Sequence, residues 1–441
     1  MNIAVIGTGY VGLVTGTCFA SKGHDVICVD VIEEKILKIN QGIAPIYEEG
    51  LDEMLKTVVS EKKLKATLSM SDAITNSELI YICVGTPSKE DGTYDYVYLR
   101  DASQKIGEEL KEIDDYKVVV VKSTCSPGTT MNLVKPILEE TSQKNAGKDF
   151  GLGMNPEFLR EGVAIGDFLN PDRIVIGGID EQSQRIVAKS YHGFESPFLY
   201  VDTTTAEMIK IASNSFLAMK ISFINEIANI AEKIGSDIEE IAQGVGMDDR
   251  ISSRFLRAGL GYGGSCFTKD IRALHRQSVE MGVPSDLLKA TMKVNEAQPL
   301  RAAEILIEEM DDRSLENKKI GILGLAFKPD TDDVREAVSI TLIDYLLNRG
   351  AKVFATDPIA LENFKEIISH KNLTLTSKVE DVLTDSDACI LVTEWKEFLD
   401  LSPELFKKLM KTPLVVDGRR SLDSEKFKDK GVNFKSIGLG K

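Results

Sequence analysis

Histidine and cysteine are scarce. The 441 residues hold four scattered histidines and six cysteines, Cys18, Cys28, Cys83, Cys125, Cys266 and Cys389. The cysteines form no CxxC pair and no repeated spacing, which argues against a zinc site and for a reducing, cytoplasmic setting. No apolar run reaches the roughly 18 residues needed to span a bilayer. A first strand opens at Ile3, so no secretory leader is expected before it. Basic charge is also short: 53 Lys+Arg against 69 Asp+Glu leave a net charge of −16. That balance argues against nucleic-acid or anionic-membrane partners, so an anionic ligand has to be held by a few local groups.

What remains is a folded-protein composition, 43 % hydrophobic and 28 % charged. The N-terminal part alternates strand and helix. Strands are expected at Asn2–Gly7, Asp25–Asp30, Leu79–Gly85, Lys117–Lys122 and Arg173–Gly177, with a helix from Tyr10 to Lys22. Continuously apolar strands separated by helices imply a parallel sheet covered on both faces. From Thr204 to about Ile234 the chain keeps helical period without Pro or Gly. More helix follows to Met310, and Pro299 is expected to kink or break its last stretch. Alternation restarts at Lys318, with strands at Lys319–Leu325, Lys352–Asp357, Cys389–Val392 and Leu414–Asp417 and a helix over Val338–Asn348. The reading is an α/β protein with two Rossmann-like, doubly wound domains joined by a central helical region. The expected boundaries are 1–202, 203–310 and 311–441.

Gly7-Thr8-Gly9-Tyr10-Val11-Gly12 is a GxGxxG turn between a strand and a helix. The glycines permit the tight turn, the backbone approach to a pyrophosphate and close helix packing, and the helix start attracts the anion. Asp30 ends the second strand, eighteen residues beyond Gly12, where a carboxylate can accept both ribose hydroxyls. Asp30 would repel a 2′-phosphate, so the expected cofactor is NAD and not NADP. Lys35 is a further candidate on the adenosine side, with an ordinary solvated lysine as the alternative. Gly321–Ala326 does not complete the fingerprint, so the last domain is expected to share the fold without the dinucleotide. Lys328 and Arg335 follow its glycine turn as phosphate contacts or as plain surface charges.

The stretch Gly261–Asp270, GYGGSCFTKD, carries the candidate nucleophile. A cysteine by itself is usually a small buried hydrophobe. Cys266 instead follows a glycine loop at an expected helix start, a setting that favours thiolate, and Asp270 lies one turn on. Lys210 and Asn214 lie four apart on one helix face and suit an oxyanion, or form a solvated pair. In Asn155–Gly162, NPEFLREG, Glu157 suits a general base and Glu161 the nicotinamide end; an Asn-Pro turn with helix-start acids is the alternative. Ser123 and Thr124 end a strand where ligands bind in open α/β sheets.

Together these segments resemble the nucleotide-sugar 6-dehydrogenases. The resemblance runs nearly end to end, through GTGYVG, VGTP at Val84–Pro87, KST at Lys122–Thr124, NPEFLREG, the Lys210/Asn214 helix, GYGGSCFTKD and AFKPDTDDVR at Ala326–Arg335. It implies an NAD domain, a central helical dimerisation region and a C-terminal UDP-sugar domain. It implies oxidation of a sugar C6 alcohol to a carboxylate with two NAD and no metal. The spelling of the cysteine loop points to the UDP-glucose branch, giving UDP-glucuronate, over the GDP-mannose and UDP-N-acetyl-mannosamine branches. By motif position Cys266 is the nucleophile and Lys210 and Asn214 are oxyanion partners, while Glu157, Asp270 and Thr124 handle protons. The implied NAD contacts are Gly7, Gly9, Tyr10, Val11, Gly12, Asp30, Lys35, Thr86, Thr124, Glu161, Lys269 and Arg335. The implied substrate contacts are Glu157, Phe158, Leu159, Arg160, Glu161, Lys210, Asn214, Phe255, Leu256, Arg257, Ala258, Gly259, Gly263 and Lys328. Arg250 is expected to reach a neighbouring subunit's site in a homodimer.

The chain departs from the family at three places. Cys125-Ser126-Pro127-Gly128 stands for Val-Pro-Val-Gly, Thr268 for a proline, and Glu49 for a proline within Pro45–Leu51, PIYEEGL. A two-electron hydroxyacid dehydrogenase would need no cysteine and leaves the third domain unexplained. A catalytically silent NAD-sensing scaffold would show degenerate catalytic positions, and none is present.

Overall fold

The computed structural model describes residues 1–310 and 314–440. The expected boundary at 311 lies outside the described residues. The chain packs into two compact units, Met1–Ser213 and Asn214–Lys441, divided inside the helix Thr203–Ile234.

The first unit holds eight strands: β1 (Asn2–Ile6), β2 (Asp25–Val29), β3 (Leu64–Thr67), β4 (Leu79–Ile82), β5 (Val118–Val121), β6 (Gly151–Met154), β7 (Ile174–Gly178) and β8 (Phe198–Val201). They form one sheet in the order β3-β2-β1-β4-β5-β6-β7-β8. The first six follow the dinucleotide-binding order, whose crevice opens where the winding reverses, between β1 and β4. Consecutive residues serve opposite faces: Ile3, Val5, Leu79 and Tyr81 join one core cluster, and Ala4, Ile6, Ile80 and Ile82 the other. Both faces are therefore covered, which is why these strands read as unbroken apolar runs.

One pairing departs from the expected parallel sheet. β7 runs antiparallel to β6, through Gly153↔Gly178 and Met154↔Gly177. A Cβ on Gly153 would come within 2.9 Å of the Gly177 carbonyl oxygen, so this junction needs residues without side chains. An apolar run carries no direction, and the expectation could not have found the reversal.

The second unit adds β9 (Lys319–Leu323), β10 (Lys352–Thr356), β11 (Leu373–Leu375), β12 (Ala388–Leu391), β13 (Leu414–Asp417) and β14 (Asn433–Ser436), all parallel, in the order β11-β10-β9-β12-β13-β14. This repeats the winding of the first unit. Helices Ile238–Gly246, Ser265–Glu280 and Asp286–Met310 precede it. Pro299 does not break the last of these; the helix runs through it. Packing overrides the lost backbone donor. Ala302, Ala303, Ile305 and Leu306 sit in the core, and the buried Gln298 amide donates to the Gly259 carbonyl at 2.8 Å. Among the described residues, no helix is long and apolar enough to cross a membrane.

Candidate active site

The glycine turn lies at the crevice of the first sheet. Gly7 follows β1 with φ +98° and donates to the Val29 carbonyl at 2.7 Å. The helix Tyr10–Ser21 starts immediately after Gly9, with no side-chain cap and no acid in its first turn. A Cβ on Gly12 would fall 1.9 Å from the Gly7 carbonyl oxygen, so only glycine lets the helix sit this close to the turn. Such an uncapped start accepts a pyrophosphate.

Asp30 stands beyond β2 beside this turn. Its carboxylate accepts the Thr8 N–H at 2.9 Å, the Thr8 hydroxyl at 2.6 Å and the Ile32 N–H at 3.1 Å. Partial burial works to raise its pKa, but these hydrogen bonds, with help from Lys35, hold it below the ordinary carboxylate range. An ionised, half-buried acceptor with three of its about four acceptor positions filled, beside a glycine turn, suits a ribose hydroxyl and opposes a 2′-phosphate. Asp30→Ala is expected to weaken NAD binding at least about tenfold, the scale of lost hydrogen bonds to a charged group, and to narrow the preference over NADP. Fluorescence titration with NADH and NADPH checks both, and equal NADH affinity in the variant would refute the assignment.

At the ends of β4 and β5, the buried Thr86 hydroxyl donates to the Thr124 carbonyl at 2.7 Å, and the Ser123 hydroxyl to the Val84 carbonyl at 2.7 Å. The VGTP and KST segments are thereby knitted into one rim, with Thr124 half-buried.

The loop after β6 presents the acids. Asn155 Oδ1 accepts from Lys122 Nζ at 3.0 Å and from the Tyr191 hydroxyl at 2.6 Å, while its amide donates to the Val175 carbonyl at 2.8 Å. Burial pushes the Lys122 ammonium down to about 8. Glu157 and Lys210, both buried, form an ion pair at 2.8 Å, and the other Glu157 oxygen accepts the Leu159 N–H at 2.6 Å. Phe158 lies under the Arg173 guanidinium at 3.9 Å, with Lys210 Nζ 5.5 Å from the ring centre. Arg160 is exposed and forked onto Asp167, with contacts of 2.7 and 3.0 Å. Leu159 packs against the core, and Glu161 is half-buried.

In the second unit, Cys266 is the second residue of the helix Ser265–Glu280 and is exposed, whereas the other five cysteines are buried. Burial pushes Cys18, Cys28 and Cys83 up to about 12, so those thiols stay protonated packing groups. Cys266 sits at a helix start with no side-chain cap, the setting that stabilises thiolate. One turn on, the buried Asp270 accepts the Asn214 amide at 2.6 Å and pairs with Lys269 at 2.8 Å. Gly263 has no room for a side chain: a Cβ there would lie 2.6 Å from the Glu336 carbonyl oxygen.

Beside this loop is a cleft of about 170 Å³ whose lining includes Asn225, Phe255, Arg257, Gly259, Glu394 and Arg419. Phe255 holds a left-handed φ of +63°, a strained conformation of the kind that gathers at ligand sites. The Gly259 N–H is held by Asn225 Oδ1 at 2.8 Å, and Arg257 donates to the Ser421 hydroxyl at 2.7 Å. Leu256 and Ala258 are buried, and the Leu256 side chain lies in the core. Glu394 and Arg419 were not among the sequence-derived candidates. The available signal was Asp417-Gly418-Arg419-Arg420, polar residues leaving the C-terminal end of β13, where open parallel sheets bind ligands.

Arg250 is exposed and forked onto Asp248 at 2.6 Å, and Arg335 onto Asp333 at 2.7 Å. Lys328 is half-buried, with Nζ 5.6 Å from the Phe327 ring centre. The second glycine turn differs chemically from the first. Asp357, the strand-end counterpart of Asp30, is buried and accepts five donors: the N–H groups of Leu325, Ala326, Ile359 and Ala360 and the Trp395 indole, at 2.7–3.1 Å. A carboxylate has about four acceptor positions, so none is left for ribose.

Three family models cover most of the chain. They describe the NAD binding domain (residues 1–195), the central domain (204–297) and the UDP binding domain (321–424) of the UDP-glucose/GDP-mannose dehydrogenase family. The UDP-glucose 6-dehydrogenase of Rickettsia conorii is 43% identical over 99% of both chains. That of Bacillus subtilis is 42% identical, covering 99% of this chain and 93% of its own. A UDP-glucose dehydrogenase structure from Pyrobaculum islandicum superimposes with a TM-score of 0.92 at 36% identity, covering 99% of this chain and 98% of that one. A UDP-D-ManNAc dehydrogenase structure from Pyrococcus horikoshii gives 0.88 at 30% identity, covering 100% and 99%. With its NAD turn, its UDP binding domain and its exposed cysteine loop, this chain belongs to the UDP-glucose/GDP-mannose dehydrogenase family.

Proposed function

We propose that this protein oxidises UDP-glucose to UDP-glucuronate in the cytoplasm. Residues 1–202 serve as the NAD domain, 203–310 as a helical dimerisation region and 311–441 as the UDP-sugar domain. The observation that carries the reading is the single exposed thiol, Cys266, at an uncapped helix start. Alcohol to acid is a four-electron change, so the half-oxidised sugar has to be retained between two oxidations. NAD, when bound along Gly7–Gly12 and Asp30, accepts one hydride in each.

The residues of the chain do the rest. Lys210 and Asn214 donate hydrogen bonds to the C6 oxygen as negative charge develops there. The Cys266 thiolate adds to the C6 aldehyde, forming a C–S bond, and the oxygen takes up a proton. The resulting thiohemiacetal still carries the C–H bond that the second oxidation breaks, and that oxidation leaves a thioester. Water then adds to the thioester carbon, the C–S bond breaks and the thiolate is regenerated. Glu157 and Asp270, with Thr124 through water, move the protons. The Glu157–Lys210 ion pair keeps an acid and an ammonium together in a buried place. Substrate binding draws that ammonium toward the sugar oxygen.

A homodimer built along the helix Thr203–Ile234 is part of the proposal. Phe216, Phe223 and Ile230 recur at seven-residue spacing on it and are 57%, 53% and 50% exposed. Phenylalanines repeating on one helix face are expected to be covered by a second copy. The deciding experiment counts NADH formed per UDP-glucose consumed. Two is expected; one would indicate a simple alcohol dehydrogenase, and none would end the proposal. GDP-mannose and UDP-N-acetyl-mannosamine run in parallel decide between the family's branches, and faster turnover of either would displace UDP-glucose.

A further inference from the structure

The PIYEEGL segment takes no part in the chemistry above, yet its Glu48 is buried and makes three hydrogen bonds inside the first unit. One carboxylate oxygen accepts the Tyr10 hydroxyl and the Gly162 N–H, the latter at 2.6 Å. The other accepts the Ala164 N–H at 2.6 Å. The Gly162 N–H also reaches the Tyr10 hydroxyl oxygen at 3.1 Å. Tyr10 is the first residue of the helix that opens on the glycine turn. Gly162, in the left-handed region at φ +85°, ends the NPEFLREG loop. A single buried carboxylate therefore joins the proposed pyrophosphate turn to the loop that carries Glu157 and Glu161. Burial and the Glu48 contact keep the Tyr10 phenol protonated, so it remains a donor to that carboxylate.

From this geometry we infer that Glu48 is a positioning residue coupling the cofactor turn to the substrate loop, so that its loss weakens NAD and sugar-nucleotide binding together. Three donors converge on one buried side chain, and a neutral amide offers only one acceptor atom where the carboxylate offers two. The inference rests on the proposed function for the identity of the sugar nucleotide but not for the connection itself.

Glu48→Gln keeps the volume and removes one acceptor. It is expected to raise the NADH dissociation constant and the KM for UDP-glucose each about tenfold, the effect of roughly one hydrogen bond to a charged group. The expected change in kcat is smaller, and amide exchange across residues 158–166 should quicken. Tyr10→Phe gives up the 3.1 Å contact with Gly162 but leaves the Glu48 bonds to Gly162 and Ala164 in place, and should weaken NADH more than it raises the KM for UDP-glucose. A purely structural role would lower the melting temperature without moving either affinity, and that result overturns the inference. So does a change in only one of the two affinities of Glu48→Gln. Should that variant fail to fold, Tyr10→Phe with unaltered NADH affinity overturns it instead. NADH fluorescence and amide exchange need no turnover, so a wild-type protein inactive on UDP-glucose ends the proposed function and leaves this test standing.

Discussion

Cys266→Ala forms no UDP-glucuronate at a measurable rate, a loss on the order of 10⁴-fold or more, the scale found when a covalent nucleophile is removed. The expected loss is this large because the proposed mechanism gives the carbonyl carbon one covalent attachment, the Cys266 sulfur, while Asp270, one turn on, is tied to Asn214 and Lys269. Stability should barely change. The side chain is exposed, and surface substitutions of this kind usually stay within about 0.5 kcal/mol. Chromatographic assay of the acid, alongside a melting curve, separates lost chemistry from lost fold. Acid formation at the wild-type rate would remove the cysteine from the mechanism and with it the reason for a retained intermediate.

Lys210→Met has the second largest expected effect, and it acts on two measurements at once. Activity should fall by about 10²–10³ in kcat, as when one donor to a developing oxyanion is removed. Stability should fall by about 3–5 kcal/mol, because the variant leaves the buried Glu157 carboxylate facing an apolar group. The two effects can be parted. Combining Lys210→Met with Glu157→Gln removes the stranded charge, so most of the stability should return while activity stays low. The coupling in that double-mutant cycle should exceed about 1 kcal/mol, since the two groups touch. Additive stability effects would mean that the pair is not formed in solution.

These two residues were legible in the sequence for different reasons. Cys266 announces itself locally, because a glycine loop running into a helical pattern places it at a helix start without knowledge of any distant contact. The GTGYVG turn and Asp30 are legible in the same way. Lys210 and Glu157 were each legible as polar residues in a suggestive setting, but their partnership was not: they lie on a helix and a loop far apart in the chain. Both had been assigned to reacting atoms, and the structure adds that each is the other's counter-ion. Glu48 was harder still, since its neighbours Tyr10 and Gly162 belong to two separate motifs. Arg419 was passed over because a short polar turn after a strand looks like any other loop until the sheet order shows which end of β13 it leaves.

The amino-acid order by itself determined the alternation of strand and helix, the glycine turn with Asp30 beside it, the placing of Cys266 at a helix start and the doubly wound class of both sheets. These rest on local periodicity and on spacings within a few turns of chain, where backbone geometry leaves few options. Tertiary packing alone decided the antiparallel entry of β7, the unbroken helix through Pro299, and the saturation of Asp357 that closes the second glycine turn to ribose. Each of those outcomes is fixed by which groups meet across long sequence separations: a glycine junction that lets two strands approach, a core that outweighs one missing backbone donor, and five donors converging on one carboxylate.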